Sequence, residues 1–375
     1  MGLLTGALPD FPWDTLTPFA EKARAHPSGI VDLSVGTPVD PTPAVVREAL
    51  AAAADSPGYP TTHGTAELRQ AVVDWFARRR GVPGLDPAAV LPTVGSKELV
   101  AFLPALLGLG AGDVVLHPSA AYPTYDVGSR LAGATPEPSD HPAARLADGD
   151  VGLVWLNSPG NPDGAVLGVE QLRAVVDAAR ASSRPVVVAS DECYAELAWD
   201  EPWTSAGVPS ILDPRVTGGD LTGLLAVYSL SKQSNVAGYR AAFVVGDPEL
   251  VARLLEVRKH AGMIVPGPVQ AAMTAALRDD EHVAAQRTLY GRRRRLLKAA
   301  FESAGYAVDG SHAGLYLWVR PEAGGQDSWA TVADLAGLGI LVAPGAFYGD
   351  GEHVRVALTA PDERVAEAAA RLSGA

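Results

Sequence analysis

The sequence predicts an α/β protein: a three-layer α/β/α large domain around a mostly parallel sheet, followed by a smaller α+β domain. Three observations predict it. Short apolar or β-branched runs alternate with longer helical patterns over roughly residues 89–260. Several of those runs are apolar on both faces, as strands covered by helices on two sides must be. After about residue 260 the pattern changes to long helical stretches followed by short strands.

The expected strands of the large domain are residues 89–94, 113–117, 152–157, 185–191, 223–229 and 241–246. Helical patterns at 96–107, 169–181 and 248–260 lie between or beside them. Further on come helices at 268–277 and 281–304, strands at 314–319, 340–343 and 353–358, and a last helix at 360–372. The first ~35 residues hold one short helix, 13–25, and too little apolar material to fold alone. The expected division is an N-terminal segment, 1–38, packing with the small domain, a large domain over 39–259 and a small domain over 260–375.

Composition limits the function. Of 375 residues 47% are apolar and 19% charged, an ordinary globular balance. A net charge of −13 argues against a nucleic-acid partner, which needs clustered Lys and Arg. The one basic run, Arg292 to Arg295, falls in a helical stretch and reads as a solvated or ion-paired face. Residues 1–6 lack the basic and apolar regions of an export signal. The longest apolar stretch, 99–109, contains Pro104 and is too short to cross a bilayer. No membrane partner is expected, and cytoplasm is the default location. The single cysteine, Cys193, excludes an internal disulfide and a multi-cysteine zinc site, and no metal is expected.

Four segments at strand ends carry chemistry, where α/β sheets place their ligands. In Thr93-Val94-Gly95-Ser96-Lys97-Glu98 a strand ends, a glycine turns the chain and a helix begins, so free N–H groups and the helix dipole suit a phosphate. Asn157 to Gly164 is a Pro/Gly/Asn turn that presents the Asn161 amide. Asp191, in Ser190-Asp191-Glu192-Cys193-Tyr194, puts a carboxylate at a strand terminus, where it either caps a turn or faces a cationic ring nitrogen. Lys232 follows Tyr228-Ser229-Leu230-Ser231, with Arg240 eight positions beyond. An amine must be neutral to attack a carbonyl, and a partly buried site beside cations favours that form.

With these segments in place, the sequence resembles fold-type I pyridoxal 5′-phosphate (PLP) enzymes of the class I/II aminotransferase family over nearly the whole chain, most specifically in Ser229-x-Ser231-Lys232…Arg240. The resemblance implies that Lys232 carries PLP as a Schiff base and then serves as base and acid of the proton transfer. It implies that Gly95, Ser96, Lys97, Ser229 and Arg240 hold the phosphate, and that Tyr122 stacks on the ring. Asp191 would pair with the ring nitrogen, and Tyr194 and Asn161 would bond the 3-oxygen. Arg355 would grip the substrate α-carboxylate in a bidentate fork, Gly36 would lie over the substrate, and Asn161 would also contact it. Tyr59 matches a tyrosine that reaches the phosphate of the neighbouring subunit, which implies a homodimer with shared sites.

Two positions depart from the family. Asp163 stands where the family usually has Thr; it can make the same turn bond but adds a negative charge. Ala242 replaces a common glycine. The wording of 11–14, 33–40 and 258–263 looks like that of actinobacterial succinyldiaminopimelate aminotransferases. That implies N-succinyl-LL-diaminopimelate with glutamate/2-oxoglutarate, in lysine biosynthesis, with 11–19 and 262–266 as candidates for the distal part of the substrate. Another amino-acid specificity (aspartate, aromatic or unmodified diaminopimelate), a PLP C–S lyase and a PLP-binding regulator without turnover are the alternatives.

Overall fold

The structure, a computed structural model, describes residues 8–9 and 11–374; residues 1–6, read above for an export signal, lie outside them. After a two-residue strand, β1 (Val31–Asp32), come the seven strands of the large sheet. They are β2 (Val90–Val94), β3 (Val114–His117), β4 (Thr135–Pro138), β5 (Val151–Asn157), β6 (Val187–Asp191), β7 (Leu224–Ser229) and β8 (Ala241–Gly246). Their order across the sheet is β2-β8-β7-β6-β5-β3-β4. All neighbours from β7 to β4 are parallel, and β8 is antiparallel to both of its neighbours. β5, β7 and β8 are buried at every residue, which is why they read as unbroken apolar runs. β4, the strand absent from the expected set, contains Pro136 and Pro138 and lies at the sheet edge. A missing N–H is tolerated there, so the strand has no apolar signature.

Alternate strand residues feed two cores. Val188, Ala226, Tyr228 and Phe243 join the helices Ala66–Arg79 and Val169–Ala181 on one side. Ala189, Leu225, Val227 and Val244 join Ser96–Leu106 and Pro248–Ala261 on the other. Ala242, the departure from glycine, is fully buried between Thr93 and Ser229 in the ladder.

A third core gathers the helices Thr17–Arg24, Glu281–Ser303, Ser328–Gly337 and Asp362–Ser373. They pack around β9 (Tyr306–Asp309), β10 (Tyr316–Pro321), β11 (Ile340–Leu341), β12 (Ala343–Pro344) and β13 (Val354–Ala357). Four of these strands form an antiparallel sheet ordered β12-β13-β10-β9, and β1 pairs in parallel with β11. Leu16, Ala20, Val31 and Leu33 sit in this core, so the N-terminal segment buries its apolar residues against the C-terminal part of the chain. One boundary is corrected. The helix Gly267–Arg278, expected in the small domain, puts Ala272, Met273, Ala276 and Leu277 into the large core with Val72 and Phe76. Its apolar face matches the helices Ala44–Ala52 and Ala66–Arg79, so the change of core comes after this helix rather than at 260.

Three arginines of the basic run are paired within the chain: Arg293 reaches Asp40 and Asp362, Arg292 also bonds Asp362, and Arg294 reaches Asp200. Among the described residues no helix is long and apolar enough to cross a membrane, and no group of three or more potential metal ligands gathers.

Candidate active site

The carboxyl ends of β5, β6 and β7 open into a cavity of about 490 Å³. Where β7 ends, the Ser229 hydroxyl donates to Ser231 Oγ (2.8 Å) and accepts from the Ser231 N–H (3.2 Å). That local turn delivers Lys232, half-buried, to the cavity, and its Nζ donates to the Gly36 carbonyl at 2.6 Å.

An anion cradle lies beside it. Gly95 has φ +76°, a conformation L-residues rarely adopt, and its N–H donates to the Arg240 carbonyl at 2.8 Å. A Cβ on Gly95 would overlap the Arg240 guanidinium, so the glycine is what lets the cation fold over the start of the helix Ser96–Leu106. Arg240 spends one N–H on the Ala237 carbonyl (3.1 Å) and keeps the rest of its fork available. Beneath the cradle, Glu98 takes two hydrogen bonds from the buried Arg258 (2.7 and 3.0 Å) and accepts one from the Val94 N–H at 3.2 Å.

Asp191 ends β6, buried, with Oδ2 accepting from the Tyr125 hydroxyl (3.1 Å) and Oδ1 from the Cys193 N–H (3.2 Å). Burial pushes its pKa up, against the pull of Cys193, Tyr125 and Lys232. A cation placed against it would relieve that penalty. The Asn157 amide donates to the carbonyls of Pro159 (3.1 Å) and Asp191 (3.0 Å), while its Oδ1 accepts from the Asn161 N–H at 2.8 Å. This fixes the turn that carries Asn161.

Asn161 Oδ1 accepts from Arg355 Nη1 (2.9 Å), and Arg355 Nη2 donates to the Ser34 carbonyl (2.8 Å). Arg355, on β13, is 2% exposed, its Nε has no partner, and it makes no ion pair among the described residues. Its guanidinium carbon lies 3.9 Å from the Tyr316 ring centroid and 4.9 Å from that of Tyr348. Tyr194 and Tyr316 bring their hydroxyls within 3.3 Å of each other.

Of the residues expected at the site, Gly36, Ser96, Lys97, Tyr122, Asn161, Asp191, Tyr194, Ser229, Lys232, Arg240 and Arg355 line this one cavity. Gly95 lies under Arg240 rather than in the wall. Tyr59 does not reach the cavity within the chain and is fully exposed. Of the segments expected near the distal part of a substrate, Phe11 and Trp13 line the cavity, and residues 262–266 do not. Asp163 also stays out of the wall. Its Oδ1 accepts from the Ala165 N–H (3.1 Å) and its carbonyl from the Ser311 N–H (2.6 Å), so its charge serves the turn. Tyr125, Asn157 and Tyr316 were not anticipated. Tyr125 had a signal, one helical turn beyond Tyr122; Tyr316, inside an apolar strand, had none.

A phosphate cradle, a buried carboxylate suited to a ring nitrogen, an aromatic wall and a lysine fit pyridoxal phosphate, and this donor set on such a sheet is that of a PLP transferase site. The chain belongs to the aminotransferases of class I and II, whose family model matches residues 28–372, and it is therefore a pyridoxal-phosphate-dependent aminotransferase. It is 56% identical over 98% of its length to the 4-dedimethylamino-4-oxo-anhydrotetracycline transaminase OxyQ of Streptomyces rimosus, covering 99% of that protein. It is 58% identical to the "Probable aminotransferase Rv1178" of Mycobacterium tuberculosis, over 99% of this chain and 87% of that one. Among solved structures, a probable N-succinyldiaminopimelate aminotransferase of Thermus thermophilus aligns with a TM-score of 0.85 at 28% identity, covering 97% of this chain and 100% of that one. The expected likeness to succinyldiaminopimelate aminotransferases thus coarsens to the family, because these relatives at 56% and 58% identity carry other names.

Proposed function

We propose that the cavity moves an amino group between an α-amino acid and a 2-oxo acid, with the α-carboxylate on Arg355 and a distal carboxylate at Lys97. The observation that carries this reading is the state of Arg355, buried at 2% exposure with only the neutral oxygens of Asn161 and Ser34 as acceptors. A buried cation without a counter-charge is strongly unfavourable, and a carboxylate gripped by the guanidinium fork is the partner its geometry suits.

Pyridoxal phosphate, when bound, supplies an electron sink for the bonding pair released at the substrate Cα. Lys232 would hold the cofactor, and its free ε-amine would take and return the proton at that Cα. Gly95, Ser96, Ser229 and Arg240 hold the phosphate through amide, hydroxyl and guanidinium donors. Tyr122 covers one face of the ring, and Asp191 balances the charge on its nitrogen. Since Asn161 Oδ1 is committed to Arg355, its Nδ2 is the end that joins Tyr194 in bonding the 3-oxygen. Lys97 opens the helix with its backbone, while its Nζ stands 5.8 Å from the ring centroids of both Phe11 and Tyr122 at the cavity wall. The amide therefore serves the phosphate and the ammonium serves a distal anion.

Among substrates, N-succinyl-LL-diaminopimelate with 2-oxoglutarate fits two carboxylate anchors, and the likeness to the Thermus thermophilus protein supports it. This would place the enzyme in lysine biosynthesis, in the cytoplasm, as a homodimer to which Tyr59 contributes across the interface. A polycyclic ketone acceptor is a second reading, favoured by the aromatic wall of Phe11, Trp13 and Tyr122 and by the 56% identity to the tetracycline-pathway transaminase. Glutamate-dependent amination of N-succinyl-2-amino-6-oxopimelate by purified enzyme decides between them. Absence of that reaction, while glutamate still converts the cofactor spectrum, removes the diaminopimelate assignment and leaves the aminotransferase. Release of pyruvate and ammonia without consumption of an oxo acid identifies a C–S lyase instead.

A further inference from the structure

We propose that Tyr316 is a positioning residue with two separable tasks: its ring holds the plane of Arg355 for the substrate carboxylate, and its hydroxyl strengthens Tyr194 as a hydrogen-bond donor to the cofactor. The inference deepens the reading above and rests on its assignment of Arg355 and Tyr194.

The ring task follows from packing. Arg355 keeps three N–H bonds free after its bonds to Asn161 and Ser34, and those three face a carboxylate only while the guanidinium plane is fixed. Two oxygen acceptors still permit rocking about the line that joins them. The Tyr316 ring, with its centroid 3.9 Å from the guanidinium carbon, closes that freedom and offers a π face to the buried charge. Tyr316 is itself 4% exposed and anchored at the start of β10, whose register pairs Tyr316 with Ala357 and Trp318 with Arg355. The two side chains are therefore set by the same pair of strands.

The hydroxyl task follows from its neighbours. Tyr316 Oη lies 3.3 Å from Tyr194 Oη, and a Cβ on Gly36 would overlap it. Gly36 is thus glycine because this hydroxyl occupies the space above it, while the Gly36 carbonyl receives Lys232 Nζ at 2.6 Å. Burial would push the Tyr316 pKa up, but Arg355 and Lys232 together bring it below the ordinary tyrosine value. Burial and the Tyr316 neighbour push Tyr194 well above its own. A phenol has one proton, and in the reading above Tyr194 directs its own at the cofactor, so across the 3.3 Å contact Tyr316 donates and Tyr194 Oη accepts. That leaves the Tyr194 O–H to point elsewhere, strengthened by the bond it accepts.

The variants Tyr316→Phe and Tyr316→Leu separate the tasks. In the PLP-bound enzyme, Tyr316→Phe keeps the ring, so the Kd of succinate, a non-reactive dicarboxylate read by its perturbation of the cofactor absorbance, stays within about twofold of wild type. Its cofactor absorbance, titrated without substrate, has a midpoint raised by about half a pH unit because the ring oxygen has a weaker donor. Tyr316→Leu loses the ring and raises the succinate Kd by about 3- to 30-fold, with KM for glutamate rising in step. Equal succinate affinity in the two variants, or an unmoved midpoint in Tyr316→Phe, overturns the proposal. Wild-type enzyme whose spectrum no amino acid converts fails the aminotransferase reading instead, and succinate binding still reports on Arg355 and Tyr316.

Discussion

At the scale of single residues, the site is built from groups whose ordinary interactions have been left incomplete. Lys232 has a carbonyl partner rather than a carboxylate, Arg355 lacks a counter-ion among the described residues, and Asp191 is buried against a phenol and an amide. Replacing Lys232 by Ala is expected to leave cofactor binding measurable but to slow donor conversion at least about a hundredfold, followed by the cofactor spectrum in single half-reactions. Wild-type rates in that variant would remove the lysine from the chemistry. Gly95→Ala tests the cradle. It forces a Cβ into a φ of +76° and into the Arg240 guanidinium, so the PLP dissociation constant, measured by equilibrium dialysis, should rise about tenfold or more. The gathering of Lys232, Asp191 and Arg240 at one cavity was legible because each sits in a short local pattern beside an apolar strand. Tyr316 was not, because its proposed task depends on Arg355 in the neighbouring strand and on Tyr194 in the loop after β6, contacts that no local pattern encodes. Asp163 read as a charge near the chemistry, and only the turn geometry shows its carboxylate spent on Ala165.

At the scale of elements, pairs of secondary structures hold the two loops of the site, the phosphate turn and the lysine loop. The turn between β2 and the helix Ser96–Leu106 is tied to the helix Pro248–Ala261 through Glu98 and Arg258, whose side chains are 19% and 0% exposed. Arg258→Met leaves Glu98 without its partner and is expected to lower stability by about 2–3 kcal/mol in urea unfolding, and to loosen cofactor retention with it. Stability loss with unchanged PLP affinity would show that the pair braces the fold but not the cradle. The lysine loop is tied to the helix Glu281–Ser303 through Ser234, which shares a 2.8 Å hydrogen bond with His282 Nε2, whose Nδ1 meets Asp279 at 3.2 Å. Burial lowers the His282 pKa despite Asp279. The unfolded chain therefore binds the proton first as pH falls, so the stabilisation is complete above about 6.5 and is lost on acidification. The drop in urea midpoint between pH 7.5 and 5.5 should be smaller in His282→Gln than in wild type. Elements with strong apolar runs were legible from the sequence. β4 was not, since prolines at an edge carry no apolar signal, and the helix Gly267–Arg278 was assigned to the wrong core because periodicity shows that a face is apolar but not what covers it.

At the scale of the molecule, the cavity is walled by three parts of the chain: the ends of the large sheet, β10 and β13 of the small one, and the segment from Phe11 to Thr37. Tyr59 belongs to none of these walls and stands fully exposed, free to meet the second copy that the family resemblance implies. If a second copy receives it, two-fold symmetry gives each site one Lys232 and the partner's Tyr59, and each chain serves both sites. Subunit mixing tests this more sharply than a measurement of mass. Lys232→Ala subunits and Tyr59→Ala subunits, each assayed alone at limiting PLP, should be impaired. Unfolded and refolded together in equal amounts, half of the dimers are mixed. In each mixed dimer one site collects both substitutions and the other collects neither. Activity should return to about a quarter of wild type, and to nothing like that in either parent. If both residues acted within one chain, every site would carry one substitution or the other, and mixing would restore nothing.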